Sequence, residues 1–416
     1  MSSNRRHVGK HGAGGLPPEH SQTGCRVRPA AETLALVEPL RKAWGITRLA
    51  NITGLDRIGI PVWLAIRPNS RALTVASGKG ITHDAARCSA LCESIESHYG
   101  ERFEGPVRLA RYTDFDRPAV VDPAKLAKGR GSNYTATATL PWVEAHDLRD
   151  GASVWVPYEL VHTDATLPRR PGSGAFLFSS NGLASGNTEP EAMLHALCEL
   201  VERDALAVWK QRSDRTRRST RVDVNSITGT ENQALLARLT DAGIDVVLWN
   251  VTSDIGIAAF CALLVDRASA SDLTPYPASF GIGCHPDRDV ALARALTEAA
   301  QSRATSIAGT RDDMARHSYE STQARERVDE YRQLTREPSR ARFDAVASVK
   351  DTSVTRHLQR VVERLAKKQL EQILTVRVSP ADAPLVVVRV IVPGLEGPSS
   401  SASYVPGVRA RRASRA

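Results

Sequence analysis

No run of about 18 or more apolar residues occurs in this 416-residue sequence, so no stretch reads as a membrane-spanning helix. The opening residues, MSSNRRHVGKHGAGGLPPEHSQTG, lack the apolar core of a secretory signal. Both absences point to a cytoplasmic protein without membrane contact. Cys-x-x-Cys is also missing from the six cysteines, Cys25, Cys88, Cys92, Cys198, Cys261 and Cys284. Cys88 and Cys92 share a helix face, but no His follows at zinc-finger spacing, which argues against structural zinc. The reading left is reduced thiols beside apolar neighbours. A P-loop spacing is absent, and no Gly-x-Gly-x-x-Gly opens a helix after a strand. A nucleotide bound here needs a non-standard fold.

Charge is abundant only at the ends. The net charge is +9, of which residues 1–30 carry +4 and residues 407–416 another +4. The body is therefore close to neutral, and basic tails are a poor argument for specific nucleic-acid binding.

What is present is an irregular alternation of elements. A helix is expected near 31–43, then strands at 46–53, 60–67 and 72–77 and a helix over 82–103. Short strands at 106–112 and 152–162 bracket a Pro/Gly-rich interval, and within 123–150 the Lys-Gly-Arg-Gly-Ser-Asn stretch reads as a loop or a short helix and turn. Beyond the middle of the chain come a helix at 230–243, strands at 245–251, 256–266 and 279–286, and a helix at 288–308. A charged, broken helical stretch (312–348), a helix at 356–372 and strands at 374–379 and 383–394 follow, with an extended end. This is an α+β (mixed α/β) pattern, read as one large domain over 31–398 between tails at 1–30 and 399–416.

The stretch around which the chain is organised is SSNGLASGNTEPEAMLHALCELVERDALAVWK (179–210). A small-residue turn leads to Thr188, a helix cap that Glu191 would complete as a capping box. At 100° per residue, Asn187, Glu191, Glu199 and Glu202 fall within roughly 120° of one another. Such a face is either solvated or neutralised by a cation, and hard oxygen donors suit magnesium. In SGKGITHDAARCSALCESIESHY (77–99) a Gly-Lys-Gly turn precedes a helix bearing Glu93 and Glu96 at i, i+3. The helix containing ARALTEAAQSR carries Arg294, Glu298 and Gln301 on one face. Carboxylates around a metal, with Arg on phosphate oxygens, are how proteins hold a nucleoside triphosphate.

In order and content, SNGLASGNTEPEAMLHALCELVERD, GKG followed by SALCESIE, and ARALTEAAQSR with GTRDD downstream resemble the YcaO family. The likeness runs from about residue 45 to about 409. It implies an enzyme that uses ATP and Mg2+ to activate a peptide backbone amide by O-phosphorylation. By resemblance, Glu93, Glu96, Glu199 and Glu202 match magnesium-coordinating glutamates. Asn187, Glu191 and Arg203 match ATP-contacting positions, as do Arg294 and Glu298. Lys79, in its Gly turn, is a further phosphate-binding candidate, with Gln301, Arg303 and Arg311 behind it. Each has a plainer alternative: Glu191 as a cap, Arg203 paired with Glu199, Arg294 paired with Glu298, Lys79 as a solvated turn lysine. No residue is assigned as catalytic.

Azoline-forming members commonly end in Pro-x-Pro-x-Pro. This chain has VIVPGLEG (390–397) and YVPGVRA (404–410) instead. That ending, with ITRLANITGLDRIGIPV (46–62), is similar to members that work beside a TfuA partner in thioamide formation. The resemblance therefore implies thioamidation of a ribosomally made peptide or protein, a TfuA-like partner, a precursor substrate and a separate sulfide donor; a homodimer is one option, and the sequence does not say whether the chain dimerises. No cysteine stands out as a sulfur carrier. The alternatives are an azoline-forming cyclodehydratase, a non-catalytic peptide-binding scaffold, and an accessory factor for a ribosomal-protein methylthiotransferase.

Overall fold

A computed structural model describes residues 26–267, 278–313 and 321–415. The tail expected to be disordered over 1–30 is described only from Arg26, where Arg26 is ion-paired and Ala30 already begins a helix, and Cys25 lies outside these residues.

Helix α1 (Ala30–Val37) leads to an antiparallel meander of β1 (Arg48–Asn51), β2 (Val62–Ile66) and β3 (Val75–Lys79), then to α2 (His83–Glu101). The Thr82 side chain caps α2 by accepting from Ala85 N at 3.2 Å. A methyl group on Gly78 would lie 2.1 Å from Ala86 O and Ala90 N, so only glycine lets α2 press this closely on β3. Next come β4 (Val107–Ala110), β5 (Leu140–Asp147), β6 (Ser153–Pro157), β7 (Leu183–Gly186) and the long α3 (Glu189–Lys210). A short α4 (Asp214–Ser219), β8 (Val222–Asp223) and α5 (Thr230–Asp241) precede a second meander, β9 (Ile244–Asn250), β10 (Ala259–Asp266) and β11 (Ser279–Cys284). It feeds α6 (Arg288–Ala308), against which Gly281 and Gly283 allow the same close approach. The described chain closes with α7 (Ser321–Arg336), β12 (Ala341–Arg342), α8 (Val354–Ala366), β13 (Leu374–Arg377), β14 (Val386–Ile391) and α9 (Val408–Ala413).

Strands β4, β5, β13, β14 and β7 form one antiparallel sheet in that order, with β6 also on β5. Three times, then, a strand with glycine at its close-packed end hands the chain to a helix bearing carboxylates: β3 to α2, β7 to α3, β11 to α6. The core lies between these units. Leu197, Val201 and Ala205 of α3 pack on β9, β10, β11 and α8, while Leu91 and Ile95 of α2 pack on the six-stranded sheet. Among the described residues, no helix is long and apolar enough to cross a membrane.

Several expectations are corrected. The first helix stops at Val37 and continues as one 3₁₀ turn, Glu38–Leu40, because Pro39 has no N–H to donate. Gly78 and Lys79 end a strand rather than making a turn, and Leu183–Gly186 is a strand paired with β14. Side chains this small carry no hydrophobic alternation, so the end of β3 and the whole of β7 looked like turns. The interval 123–150 contains β5, whose inward Trp142 is fully buried. The helix expected over 356–372 spans only Val354–Ala366. The end is not wholly extended, since α9 packs with Ala410 fully buried. Its Arg409 and the N-terminal Arg26 are both ion-paired, so neither is a loose tail charge.

One buried ion pair staples the β2–β3 turn to the end of α2. The Arg67 guanidinium donates to both oxygens of Glu101 at 2.7 Å, and Ser70 Oγ donates to Oε1 at 2.6 Å. Burial alone would raise the Glu101 carboxyl, but the Arg67 and Ser70 hydrogen bonds outweigh it and hold the group below its ordinary value. A depressed carboxyl contributes stability that is complete above the unfolded value of about 4.3 and is lost as pH falls through the folded one. Glu101→Gln will therefore lower the urea midpoint at pH 7, and the difference from the parent will shrink as pH falls below about 4. A difference constant with pH would refute this.

Candidate active site

The three carboxylate-bearing helices meet. Glu93 of α2 interacts electrostatically with Lys79, Arg311, Glu199 and Glu298. Glu199 of α3 has Arg203, Arg389, Arg294 and Glu298 as its charged neighbours. Glu202 is 3% exposed and faces Arg203, Glu298, Arg294 and Lys79. Three contacts fix the arrangement. Lys79 Nζ lies 2.8 Å from Glu298 Oε2, joining β3 to α6. Gln301 Nε2 donates to Ser77 O, a second tie between the same elements. Ser185 of β7 donates to Glu96 Oε1 from N at 2.7 Å and from Oγ at 2.6 Å, joining α2 to the strand before α3.

The N-terminal end of α3 is a separate cluster. Glu191 Oε2 accepts from Asn187 N at 3.0 Å and Nδ2 at 3.3 Å, and its Oε1 accepts from Arg26 at 3.0 Å. Asn187 Oδ1 accepts from Thr33 Oγ1 at 3.1 Å. Eight residues of helix rise separate Glu191 from Glu199, about 12 Å.

Three of the plainer alternatives do not hold. Thr188 is the N-cap residue but makes no side-chain cap bond, and Glu191 turns back to Asn187 instead, so the capping box is absent. Arg203 pairs with Glu202 at 3.7 Å rather than with Glu199. Glu298 pairs with Lys79 rather than with Arg294, whose Nε is buried without a hydrogen-bond partner among the described residues. Of the remaining candidates, Arg303 turns away from this site. It bonds Asp56 at 2.9 Å and Asp266 at 3.1 Å in a buried structural triad. Arg311 pairs with Asp313 while lying within electrostatic range of Glu93.

The electrostatics favour neutral carboxyls unless a cation is supplied. Glu93 still reaches solvent, yet protein crowds it enough that lost hydration pushes it up to about 7, against the pull of Lys79 and Arg311. Burial likewise raises Glu202 to about 7, lifts Glu199, and drives Glu96 well above the usual range despite its two Ser185 bonds. For Glu298, burial is outweighed by the Lys79 ammonium and then Arg203, so it stays below the ordinary value.

This donor set fits magnesium with nucleotide phosphates. All four proposed ligands, Glu93, Glu96, Glu199 and Glu202, are hard carboxylates, and the Arg294 guanidinium has an unsatisfied N–H. Among the described residues no three His, Cys, Asp or Glu groups form a finished metal cage. Magnesium does not require one, since it commonly takes one or two carboxylates and fills its octahedron with phosphates and water.

Sequence reasoning missed two residues. His195 lies four residues after Glu191 and four before Glu199, on the same helix face, and that spacing was the available signal. Burial, then Arg294, Arg26 and Lys79, holds its imidazole well below the usual range. Arg389 is a lone charge in the apolar strand β14, 1% exposed. It donates to Leu160 O at 2.6 Å, Asn181 O at 2.9 Å and Ser179 O at 2.5 Å, and so holds the turn that launches β7. Arg389→Met will strand these carbonyls and cost about 3–5 kcal/mol in urea unfolding. A loss under about 1 kcal/mol would mean the turn holds itself.

Known proteins resemble this chain over most of its length. Residues 77–396 match the family model described as YcaO cyclodehydratase, ATP- and Mg2+-binding. An uncharacterized protein in the tfuA 3′ region of Rhizobium leguminosarum bv. trifolii is 36% identical over 405 residues, 96% of this chain and 94% of that one. An uncharacterized protein of Methanothermobacter thermautotrophicus is 36% identical over 381 residues, 89% of this chain and 94% of that one. In fold, the chain is similar to the YcaO from Methanopyrus kandleri bound with AMPPCP and Mg2+, with TM-score 0.70, 22% identity, and 91% and 94% of the two chains covered. It is also similar to a heterocyclase in complex with substrate and cofactor, with TM-score 0.72 and 21% identity, covering 92% of this chain but 55% of that longer one. A family-model match over residues 77–396, together with a relative 36% identical across 96% of the chain, assigns the chain to the YcaO family, whose model is described as ATP- and Mg2+-binding.

Proposed function

We propose that this protein activates a peptide backbone amide by ATP- and Mg2+-dependent O-phosphorylation and forms a thioamide with a TfuA-type partner. The observation that carries the first half is the convergence of Glu93, Glu199, Glu202 and Glu298 with Lys79, Arg203 and Arg294. An amide oxygen is a poor leaving group. When bound, Mg-ATP supplies the phosphoryl group that makes it a good one.

The chain's own residues do the rest by position and charge. Glu93, Glu96, Glu199 and Glu202 hold the metal. Arg203 and Arg294 neutralise phosphate oxygens, and Lys79, tethered to Glu298, stands ready as a third cation. Asn187 and Glu191, with their shared hydrogen bonds, present the nucleotide-contacting end of α3. The four retained carboxylates speak against a scaffold that has lost its chemistry.

The second half is supported by the relative in the tfuA 3′ region, matched over 96% of this chain. On this reading the protein is cytoplasmic and homodimeric, and its substrate is a ribosomally made precursor.

The test is to incubate the full chain with ATP, magnesium, sulfide, the TfuA-type partner and peptides encoded beside its gene. A gain of about 16 Da replaces oxygen by sulfur, whereas a loss of about 18 Da is dehydration to an azoline. The gain is the expected result. The loss would overturn thioamidation but keep amide activation, and failure to bind ATP with magnesium would remove both.

A further inference from the structure

The i, i+4 thiols of α2 pack at the edge of the core and are less buried than the other described cysteines. Cys198, Cys261 and Cys284 are buried, and burial pushes Cys198 and Cys261 up to about 12. Cys88 and Cys92 are half-buried, with their sulfurs 3.9 Å apart in a mutual hydrogen bond. The Arg26 guanidinium, held by Glu191, lies within electrostatic range of both. The pair directly precedes the carboxylate cluster: Cys92 is followed by Glu93, and it also hydrogen-bonds Ser185, the residue that holds Glu96.

From this geometry we infer that Cys88 and Cys92 form a sulfane-sulfur site, which takes sulfur from a persulfide and releases it as hydrosulfide beside the amide-activating centre. The inference rests on the thioamide reading for its purpose. It replaces the expectation that no cysteine carries sulfur.

The chemistry balances in two steps. The Cys88 thiolate attacks the outer sulfur of a persulfide R–S–SH. A Sγ–S bond forms, the bond from R–S breaks, and RS⁻ leaves with the electron pair and takes up the thiol proton. The sulfur of Cys92 then attacks Cys88 Sγ. A Cys88–Cys92 disulfide forms, and the outer sulfur leaves as hydrosulfide, reduced by the two electrons the cysteines lose, and takes up the Cys92 proton. A dithiol reductant returns the pair to thiols. Helix geometry puts the two Cα atoms about 6.2 Å apart, within the span a disulfide bridges. The Cβ atoms start about 5–6 Å apart and must close by an ångström or more, which suits a labile bond. Cys88 is the attacking sulfur because it lies one helix turn further from the carboxylate cluster than Cys92, which adjoins Glu93 and is engaged by Ser185.

The test reads sulfur directly. The reduced full chain is mixed with glutathione persulfide, without ATP or peptide, and followed by released sulfide and by peptide mapping after alkylation. Wild type is expected to release one hydrosulfide per chain and to end as the Cys88–Cys92 disulfide. Cys92→Ser is expected to stop at a Cys88 persulfide, about 32 Da heavier. Cys88→Ser is expected to lose release at least tenfold. Release by Cys88→Ser at the wild-type rate, or equally fast sulfur uptake by Cys198, Cys261 or Cys284, overturns the inference.

A second arm runs the thioamide assay with persulfide or with free sulfide as the sulfur source. Cys88→Ser is expected to fail with persulfide and to work with sulfide, which also shows that it folds. Equal yields from both sources overturn the inference. Absence of thioamide in wild type from either source would refute the functional proposal alone, since the loading arm decides the sulfur site by itself.

Discussion

Glu199→Gln combined with Glu202→Gln will give a chain that is more stable than the parent and no longer turns over ATP. Both carboxyls are raised by burial, Glu202 to about 7, with Glu298 adding like charge to each. Their ionisation is disfavoured in the free protein, and a neutral amide of the same shape relieves that. A gain on the order of 1–3 kcal/mol is expected in urea unfolding without ligand, the usual mark of strain kept for function. The activity cost runs the other way. Phosphoryl transfer depends almost wholly on positioning and charge neutralisation, and loss of one such element costs about 10³-fold or more. Mg-ATP should raise the melting temperature of the parent and leave that of the double variant unchanged. A variant less stable than the parent would mean these glutamates are structural. Retained turnover would move the metal elsewhere.

Arg409→Met will be among the most destabilising single changes. Asp204 follows Arg203 on α3 and is fully buried. Arg409 of α9 meets it with two hydrogen bonds, 2.8 and 2.9 Å, and Glu396 N adds a third at 3.1 Å. The same guanidinium reaches Asp254 at 2.5 Å. Glu396 in turn accepts from Tyr404 Oη, Gly407 N and Ala410 N, which fixes the returning chain. Removing the arginine leaves a buried, uncompensated carboxylate, at a cost of about 3–5 kcal/mol. Adding Asp204→Asn removes that charge, so the double variant should recover part of the loss. A double variant as unstable as the sum of the two single ones would show that the pair is not coupled.

The locking of α9 onto α3 was invisible in the sequence. A Pro/Ser/Arg-rich ending reads as solvated because nothing in it says that one of its arginines meets a buried aspartate some two hundred residues earlier. Arg26, at the other end, likewise looked like one more tail charge and is bound to Glu191. The end of β3 and the whole of β7 were obscured for a different reason. Gly78 and Gly186 are small because a helix lies on them, and a residue selected for close approach shows no hydrophobic period.

The carboxylate helices themselves were legible. Glu93 with Glu96, Glu199 with Glu202, and Arg294 with Glu298 stand at spacings that the α-helix turns into faces, so local geometry alone aligns each set. The sequence by itself determined the family, the α+β character and these three helix faces, since all three follow from short-range pattern. Which charges meet was decided only by the tertiary structure. Lys79 takes Glu298 from Arg294, and Ser185 takes Glu96, because strands and helices far apart in the chain bring those partners nearer than any neighbour on the same helix, while Arg203 turns to the adjoining Glu202 in place of Glu199. Pairing through space follows distance and burial, and neither is written in the spacing of residues along one helix.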